Sequence, residues 1–389
     1  MVTWVPRISP PAQAALIEAA RQSVSLQRER AAAWITLATL LIKACEFQEA
    51  CDLLNEGAER FHNEANIHLL LAKARFNVGD LEAALSAAET AFSLQPHDRA
   101  TVLTRFDLIV EMADWDRVAL QLDNVVAIAP QRRSVFAARE HFARARDDYD
   151  AVLAACDEAL AQQTGDTRVL LRKAQTLMRL GRDAEARAIF GLDDFVSISD
   201  LGAGDERVGG DAFLKAVAAE IQRNPTLDSP HNRVTRVALK TGVLLQPGDE
   251  AVPLLIEKIK LEVERYIEAL PKRSHPFTTV RSERLRLDPW GMVYPGDGRQ
   301  ESHWHPSGWI TGVVYVTAPK LEGENEFRGP LVLGELDSER HPHPPPWGTR
   351  EVEPVPGRIV LFPSFVPHAT RSTGIQGPRI CVAFDVAPV

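Results

Sequence analysis

Small and β-branched residues recur at a constant interval through the first half of the chain. They stand 34 positions apart at Ala50, Ala84, Val118, Val152 and Ala186. Four positions later, the same interval holds Leu54, Ala88, Leu122, Cys156 and Phe190. A repeat of this length predicts pairs of antiparallel helices, because small residues let the two helices of a pair approach closely. Stacking of such pairs predicts an α-solenoid.

The turn inside each helix pair is a second periodic feature. Gly79 and Gly181 stand three periods apart, and glycine permits the tight turn that joins two helices. The third and fourth units keep the spacing but lose this glycine. An unrelated series of amphipathic helices is the alternative interpretation, and the unbroken 34-residue phase over five units argues against it.

The pattern changes after residue 190. A Gly- and Asp-containing stretch from 191 to 210 interrupts the helical periodicity and predicts a linker. Helices are then predicted from Asp211 to about Arg223 and over 251–270, where Pro271 ends the second one. Short β-rich runs between Pro and Gly follow, at 278–287, 309–317, 329–333, 358–362 and 379–386. These late strands predict a double-stranded β-helix of the jelly-roll or cupin-like type, with flanking helices.

Length agrees with two domains, since 389 residues exceed the usual size of one hydrophobic core. We predict a multidomain α plus β protein, with a helical repeat domain at 1–190, a linker at 191–210 and a jelly-roll domain at 211–389. Because all the candidate site residues fall in the last of these, we expect that domain to fold without the first 190 residues.

Composition narrows the classes of partner and the compartment. A net charge of -9 disfavours nucleic acid and anionic membranes as partners, and no apolar run is long enough to span a bilayer. Cys45, Cys51, Cys156 and Cys381 are scattered, which predicts reduced thiols rather than disulfides. The N-terminus shows no secretory leader pattern. We therefore expect a cytoplasmic location.

Candidate chemistry is concentrated after residue 300. His303 and His305 are two apart, so in a regular strand they point to the same face and can bind one metal ion. His368 follows another predicted strand, where a jelly roll would return a third imidazole to the same cavity. Arg379 comes eleven residues later and offers a guanidinium that can bind a carboxylate through two hydrogen bonds. The spacing thus predicts a metal pocket with an anion-binding arginine.

Other histidines and aromatic residues carry less specific signals. His341 and His343 form a second His-x-His pair, but the surrounding prolines favour a solvated loop over a metal site, and this loop could cover the cavity. Trp290, Tyr294 and Trp304 either line the pocket or pack in the core, and the sequence leaves both roles open.

The repeats resemble a known family. Trp34, Leu37, Ala38, Ala50 and Leu54 match most of the tetratricopeptide repeat pattern in the first unit, and the resemblance covers roughly residues 31 to 190. Such an array often presents a concave surface to a peptide or protein, although its helices can instead pack on a partner domain or another subunit. A peptide or protein partner and a homo-oligomer therefore both stay open.

The C-terminal half resembles the 2-oxoglutarate- and Fe(II)-dependent oxygenases with a short His-x-His-Pro signature. The resemblance covers about 211–389, and it is carried by 302–306, 311–316, 357–365 with His368, and 379–384. It implies that Fe(II) and 2-oxoglutarate are the cofactor and co-substrate, that His303 and His368 bind the iron, and that Arg379 holds 2-oxoglutarate. We place Tyr294 and Cys381 beside Arg379 as further co-substrate-binding residues.

Several positions depart from the pattern of that family. His305 stands where the more familiar His-x-Asp oxygenases have a carboxylate. We predict that His305 is the third ligand of the iron, and water in that position is the alternative. Thr311 replaces the usual Ser, Cys381 replaces a Ser that helps the arginine, and Asp385 replaces a common Asn.

The resemblance implies a dioxygenase that hydroxylates a C–H bond of a peptide, a protein or a small molecule. A cupin-type dioxygenase or isomerase with three histidines and no co-substrate is another reading, and it leaves Arg379 without a role. The non-enzymatic alternative is a repeat scaffold with a degenerate cupin-like metal- or ligand-binding module, against which the intact His303, His368 and Arg379 count.

Overall fold

The structure of the chain is a computed structural model. It describes residues 2–5, 10–44, 46–130, 132–162, 165–202, 210–228, 235–236, 238–272, 274–280, 282–296, 298–320, 327–337, 343–375 and 377–389. Cys45 and His341, which the sequence singled out, lie outside these ranges. Within them, no helix combines the length and the apolar character needed to cross a membrane.

Helices dominate the first half of the chain. They are α1 (Pro10–Leu26), α2 (Ala31–Lys43), α3 (Phe47–Arg60), α4 (Ala65–Asn77), α5 (Leu81–Leu94), α6 (Arg99–Glu111), α7 (Trp115–Ile128), α8 (Arg133–Ala145), α9 (Tyr149–Gln162), α10 (Thr167–Arg179), α11 (Asp183–Phe190), α12 (Leu192–Phe195), α13 (Asp211–Gln222) and α14 (Ala251–Ala269).

Strands dominate the second half. They are β1 (Thr3–Trp4), β2 (Ser197–Asp200), β3 (Leu227–Asp228), β4 (Thr235–Arg236), β5 (Leu239–Thr241), β6 (Arg284–Tyr294), β7 (Arg299–His303), β8 (Ile310–Thr317), β9 (Leu331–Leu333), β10 (Arg350–Val352), β11 (Arg358–Pro363), β12 (His368–Thr370) and β13 (Arg379–Pro388).

The 34-residue period is present in the backbone. The leading helices of successive pairs, α2, α4, α6, α8 and α10, begin at Ala31, Ala65, Arg99, Arg133 and Thr167. The periodic small residues Ala50, Ala84, Val118, Val152 and Ala186 are completely buried. Helix pairs joined by tight turns are therefore confirmed, and together with the C-terminal sheets they confirm the predicted fold class.

The turns inside the pairs keep one conformation even where glycine is lost. Gly79 and Gly181 have positive φ angles of 88° and 69°. Ala113 and Asp147 occupy the equivalent positions of the two units without glycine, and they have φ angles of 55° and 57°. Left-handed backbone costs a non-glycine residue roughly 1–2 kcal/mol. The packing of the helices therefore stabilises this turn at Ala113 and Asp147, where no glycine favours it.

The chain divides into two compact units. The helical unit is Arg7–Ala155, and the sheet unit combines Met1–Pro6 with Cys156–Val389. The helical unit has a core of completely buried side chains that includes Leu41, Leu54 and Phe106. The sheet unit contains α10 to α14 and all the strands.

Two sheets build the sheet unit. The larger has the order β2-β11-β8-β13-β6-β5-β3, with β1 paired in parallel to β6, and the smaller has the order β10-β9-β12-β7-β4. Apart from β1, the pairs are antiparallel. The central strands β8, β11 and β13 are largely buried, as their runs of Val, Ile and Phe require.

The structure differs from the expected linker over 191–210. Leu192–Phe195 is helical, and Ser197–Asp200 is an edge strand of the larger sheet that pairs with residues 358–361 of β11. A short polar run such as Ser-Ile-Ser-Asp has little strand propensity of its own, and here its partners on β11 supply the hydrogen bonds. Residues 203–209 of this stretch lie outside the described residues.

Aromatic side chains join α11 and α12 to the base of the sheets. Phe190 stacks on Trp347 with ring centroids 3.9 Å apart and meets Phe365 edge-on at 5.9 Å. Phe277 packs against Phe195 and Phe365. Since Phe365 lies in the turn between β11 and β12, this cluster supports the segment that leads to His368.

A buried carboxylate holds the two flanking helices together. Glu220 of α13 accepts hydrogen bonds from the backbone N–H groups of Glu250, Ala251 and Val252 at the start of α14. A carboxylate is favoured there because the first N–H groups of a helix have no partner within the helix. The two helices predicted at Asp211 to about Arg223 and at 251–270 are thus joined by hydrogen bonds to one side chain.

Candidate metal centre

Three imidazoles converge between the two sheets. His303 is the last residue of β7 and His368 the first of β12, and the two are directly paired in the ladder between these strands. Their ring centroids are 4.3 Å apart, and His305 lies 5.3 Å from His303 and 5.0 Å from His368. Their candidate ligand nitrogens all lie within 4.8 Å of one another. These residues are called the histidine cluster below.

His305 lies in the histidine cluster for a reason other than the regular strand that the sequence predicted. Strand β7 ends at His303, so the rule that residues two apart share a strand face does not extend to His305. Its backbone N–H instead donates to the carbonyl of Ser364 at 3.0 Å, in the turn before His368. The segment after β7 is therefore attached to the turn that carries the third histidine.

Hydrogen bonds fix the orientation of each ring. Nδ1 of His303 donates to the carbonyl of Glu301 at 2.9 Å, and Nδ1 of His368 donates to the carbonyl of Val366 at 3.0 Å. Nδ1 of His305 lies 2.6 Å from Oδ1 of Asp385. Because these oxygens accept, each Nδ1 carries a proton, and Nε2 is the nitrogen of each ring that a metal ion can bind. Three Nε2 atoms are thereby left for one cation.

Burial keeps two of these rings neutral. It lowers the pKa of His303 to about 4, with the neighbouring His305 adding to the effect. It also lowers the pKa of His368 well below its ordinary value, and the other two histidines contribute. Neutral imidazole is the form that binds metal ions. Among the described residues, this is the one group of His, Cys, Asp and Glu side chains arranged for a metal, so His343 takes no part in such a group.

Arg379 is completely buried beside the cluster. Its Nη1 donates to the carbonyls of Gly329 at 2.7 Å and Arg371 at 3.0 Å, and its Nη2 donates to Gly298 at 3.3 Å. Its guanidinium lies 4.4 Å from the centre of the Tyr294 ring. Nε has no acceptor among the described residues. A buried cationic N–H without an acceptor is costly, and an anion in the cavity would satisfy it.

Tyr294, Tyr315 and Cys381 line the same cavity and stay protonated. Burial raises the pKa of Tyr294 well above its ordinary value, raises that of Tyr315, and raises that of Cys381 to about 12. In the described part of the chain, neither phenol has a hydrogen-bond partner. Tyr315 was not among the residues predicted for the site, although its position four residues after Thr311 in β8 indicates that the two share a face.

The cavity has walls from both sheets. Its lining includes Trp290 and Tyr294 of β6, together with residues of β7, β8, β9, β11, β12 and β13, whereas Trp304 is not part of it. Lys240, which no motif indicated, lies with its ammonium 4.3 Å from the centre of the Trp290 ring. The centroid of the Trp290 ring lies 5.8 Å from that of the His305 ring. Burial lowers the pKa of Lys240. The two open roles for Trp290 are thus resolved in favour of the cavity.

Comparisons with known proteins agree with this arrangement. Residues 288–385 match the sequence family described as "Putative 2OG-Fe(II) oxygenase", and residues 143–192 match the family described as "Tetratricopeptide repeat". None of the curated protein sequences matches the chain.

Similar solved structures fall into the same two groups. A prolyl-4-hydroxylase from Pseudomonas putida is 17% identical with a TM-score of 0.36, over 52% of this chain and 99% of that one. HygX from Streptomyces hygroscopicus, solved with nickel and 2-oxoglutarate, is 13% identical with a TM-score of 0.36, over 52% and 86%. A tetratricopeptide repeat protein from Parabacteroides merdae is 15% identical with a TM-score of 0.40, over 46% and 72%. The sequence matches confirm both predicted resemblances: this chain carries a tetratricopeptide repeat region and, at 288–385, a domain of the family described as "Putative 2OG-Fe(II) oxygenase".

Proposed function

We propose that the sheet unit is an Fe(II)- and 2-oxoglutarate-dependent dioxygenase that hydroxylates a C–H bond of a second substrate. One observation carries the proposal: three imidazoles with converging ligand nitrogens, and a buried guanidinium Nε that has no acceptor among the described residues, border one cavity. A metal ion and an organic anion, held side by side, would satisfy both features.

The donor set fits Fe(II). Imidazole nitrogens suit divalent first-row metals, and three ligands from the protein leave positions open for other molecules. When bound, Fe(II) and 2-oxoglutarate supply the oxidising chemistry: dioxygen is consumed, 2-oxoglutarate gives succinate and carbon dioxide, and one oxygen atom enters the C–H bond.

The side chains around the histidine cluster would bind 2-oxoglutarate and exclude water. Arg379 would bind the carboxylate of 2-oxoglutarate that lies away from the metal, through the Nε edge that its carbonyl contacts leave free. Tyr294, Tyr315 and Cys381 would add neutral hydrogen-bond donors, because their raised pKa values keep them protonated. Apolar neighbours such as Phe362 would exclude water from this end of the cavity.

The two other readings fit the cavity less well. A cupin-type enzyme without a co-substrate would leave the buried Nε of Arg379 with no acceptor. A scaffold with a degenerate module does not need three imidazoles whose Nδ1–H groups are each held by an oxygen. Loss of function would be expected to relax such an arrangement.

The repeats bear on the class of the second substrate and on partners. We propose that they bind a peptide or protein, which would be either the substrate or a regulator, while a small-molecule substrate remains the alternative for the sheet unit. We also propose that the protein is cytoplasmic, and the support is the scattered spacing of its cysteines, which predicts reduced thiols rather than a disulfide framework.

Anaerobic addition of Fe(II) tests the proposal. We expect a weak visible charge-transfer band when Fe(II) and 2-oxoglutarate are both present, and no band with either alone, because the band arises from the chelate. The measurement is an absorption titration of the full chain in the absence of dioxygen. Iron binding without a band at saturating 2-oxoglutarate would contradict the oxygenase and favour the cupin-type reading.

Replacing Arg379 by leucine separates co-substrate from metal. We expect 2-oxoglutarate to bind more weakly by about 2–5 kcal/mol, the range for loss of a buried charged partner, with iron affinity nearly unchanged. The matched control is Arg358→Leu on β11, since Arg358 also donates to a backbone carbonyl but does not line the cavity. Equal loss of iron and 2-oxoglutarate, or an equal effect of the control, would mean that Arg379 only supports the fold.

A further inference from the structure

Among the residues that the structure describes, Asp385 accepts hydrogen bonds from one imidazole and one hydroxyl. Its Oδ1 accepts from Nδ1 of His305 at 2.6 Å and from the hydroxyl of Thr311 at 2.7 Å. Within the described residues, no Lys or Arg side chain lies within ion-pair distance of this carboxylate, although Lys240 is near enough to interact with it electrostatically. The ionisable group that Asp385 contacts directly is therefore a member of the histidine cluster.

The surroundings of Asp385 hold this contact in one geometry. Because the hydroxyl proton of Thr311 goes to Asp385, Ser364 Oγ donates to Thr311 Oγ1 at 2.8 Å. The carbonyl of the same Ser364 accepts the backbone N–H of His305. His305 is thus held through its backbone and its ring by neighbouring parts of one network.

Gly308 shows how tightly this network is packed. A Cβ atom at position 308 would stand 2.5 Å from Ser364 Oγ and 3.2 Å from Oδ1 of Asp385. Any larger residue would push one of these groups away, so the backbone approaches the network as closely as glycine permits. The contact between Asp385 and His305 is built by the fold and is not a chance meeting of surface side chains.

The contact between Asp385 and His305 matters for the charge balance of the site. A metal dication in a buried cavity is stabilised by a nearby negative charge, which the commoner two-histidine, one-carboxylate sites carry on a ligand. Here all three candidate ligands are imidazoles, two of which burial keeps neutral. Asp385 is the carboxylate that hydrogen-bonds to one of them.

We infer that Asp385 is a positioning residue that supplies this negative charge to the metal through His305, in place of a carboxylate ligand. The inference rests on the proposed function. A carboxylate behind a ligating histidine fixes its tautomer and orientation and makes the ring a stronger ligand. In this chain the carboxylate of the pair therefore stands at position 385 and not at position 305.

Removing the charge at position 385 is the first part of the test. Co(II) is titrated into the full chain by calorimetry, with its visible spectrum as a second readout. Asp385→Asn is expected to weaken Co(II) binding about 10- to 100-fold, the usual effect of losing such an outer partner. The matched control is Asp200→Asn on the exposed end of β2 in the same sheet, which should leave the affinity unchanged.

Exchanging the carboxylate between the two positions is the decisive part. His305→Asp alone sets two carboxylates side by side and should bind Co(II) poorly, because one of them repels the other or takes up a proton. Adding Asp385→Asn to His305→Asp removes that conflict, so the double variant should bind Co(II) at least 10-fold more tightly than His305→Asp alone, roughly one pKa unit of electrostatic interaction. A merely structural Asp385 predicts the opposite order, with the double variant the weaker.

The outcomes separate the inference from the proposed function. Wild-type protein that binds Co(II), with Asp385→Asn unchanged or the double variant no better than His305→Asp, overturns the role of Asp385 and leaves the proposed function standing. Wild-type protein that binds no Co(II) overturns both. Weaker binding by Asp385→Asn together with recovery in the double variant supports the inference.

Discussion

Replacement of His305 by alanine is expected to reduce metal affinity about as severely as replacement of His303. Each change removes one of three imidazoles whose candidate ligand nitrogens lie within 4.8 Å of one another. Loss of a ligand should exceed the roughly 10- to 100-fold effect of losing an outer partner. Anaerobic Fe(II) titration of the full chain, with Co(II) as the stable substitute, measures the change.

His343→Ala is the matched control for this prediction. His343 belongs to the second His-x-His pair, is exposed, and takes no part in the cluster, so its replacement should leave metal affinity unchanged. Near-normal iron affinity and turnover in His305→Ala would contradict the three-histidine site. His303 and His368 would then be the only protein ligands, with water in the third position.

The repeat half of the fold could be predicted because its information is local. Each helix pair contacts mainly its neighbours, so a 34-residue period in the sequence becomes a 34-residue period in the backbone. The turns at Ala113 and Asp147 show the limit of this reasoning. Aspartate adopts left-handed backbone more often than most residues, but alanine does so rarely, and the conformation at Ala113 therefore follows from the helices on either side.

The histidine cluster could be predicted from residue types and spacing, but its supporting contacts could not. Arg379 is held by the carbonyls of Gly298, Gly329 and Arg371, which come from three separate segments of the chain. Asp385 meets His305 across 80 positions. Such contacts depend on strand order and register, which alternating apolar residues leave undetermined. The sequence showed Asp385 only as a departure from a family pattern.

The last helix pair follows the repeat in sequence but belongs to the sheet unit in the structure. Helices α10 and α11 continue the 34-residue period, yet they belong to the sheet unit. The hydroxyl of Thr167 donates to the carbonyl of Pro306, one residue after His305, and the carbonyl of Ile189 bonds to the ring of His275. The 34-residue period therefore predicts that a helix pair forms, but it does not predict in which unit the pair is packed.

A fragment of residues 156–389 is accordingly expected to fold and bind Co(II), whereas a fragment of residues 191–389 is expected to be insoluble or unfolded. The shorter fragment loses Phe190, a completely buried ring that stacks on Trp347, and removal of one such side chain alone costs about 3–5 kcal/mol. It also loses the contacts of Thr167 and Ile189, so the total approaches the roughly 5–15 kcal/mol by which whole proteins are stable. This replaces the expectation from sequence that the first 190 residues are dispensable.

Both fragments lack β1, a two-residue edge strand, so the comparison isolates residues 156–190. Soluble yield, thermal unfolding and Co(II) titration of the two fragments measure the difference, and a shorter fragment that equals the longer in all three would show that the last repeat is not part of the oxygenase-type fold.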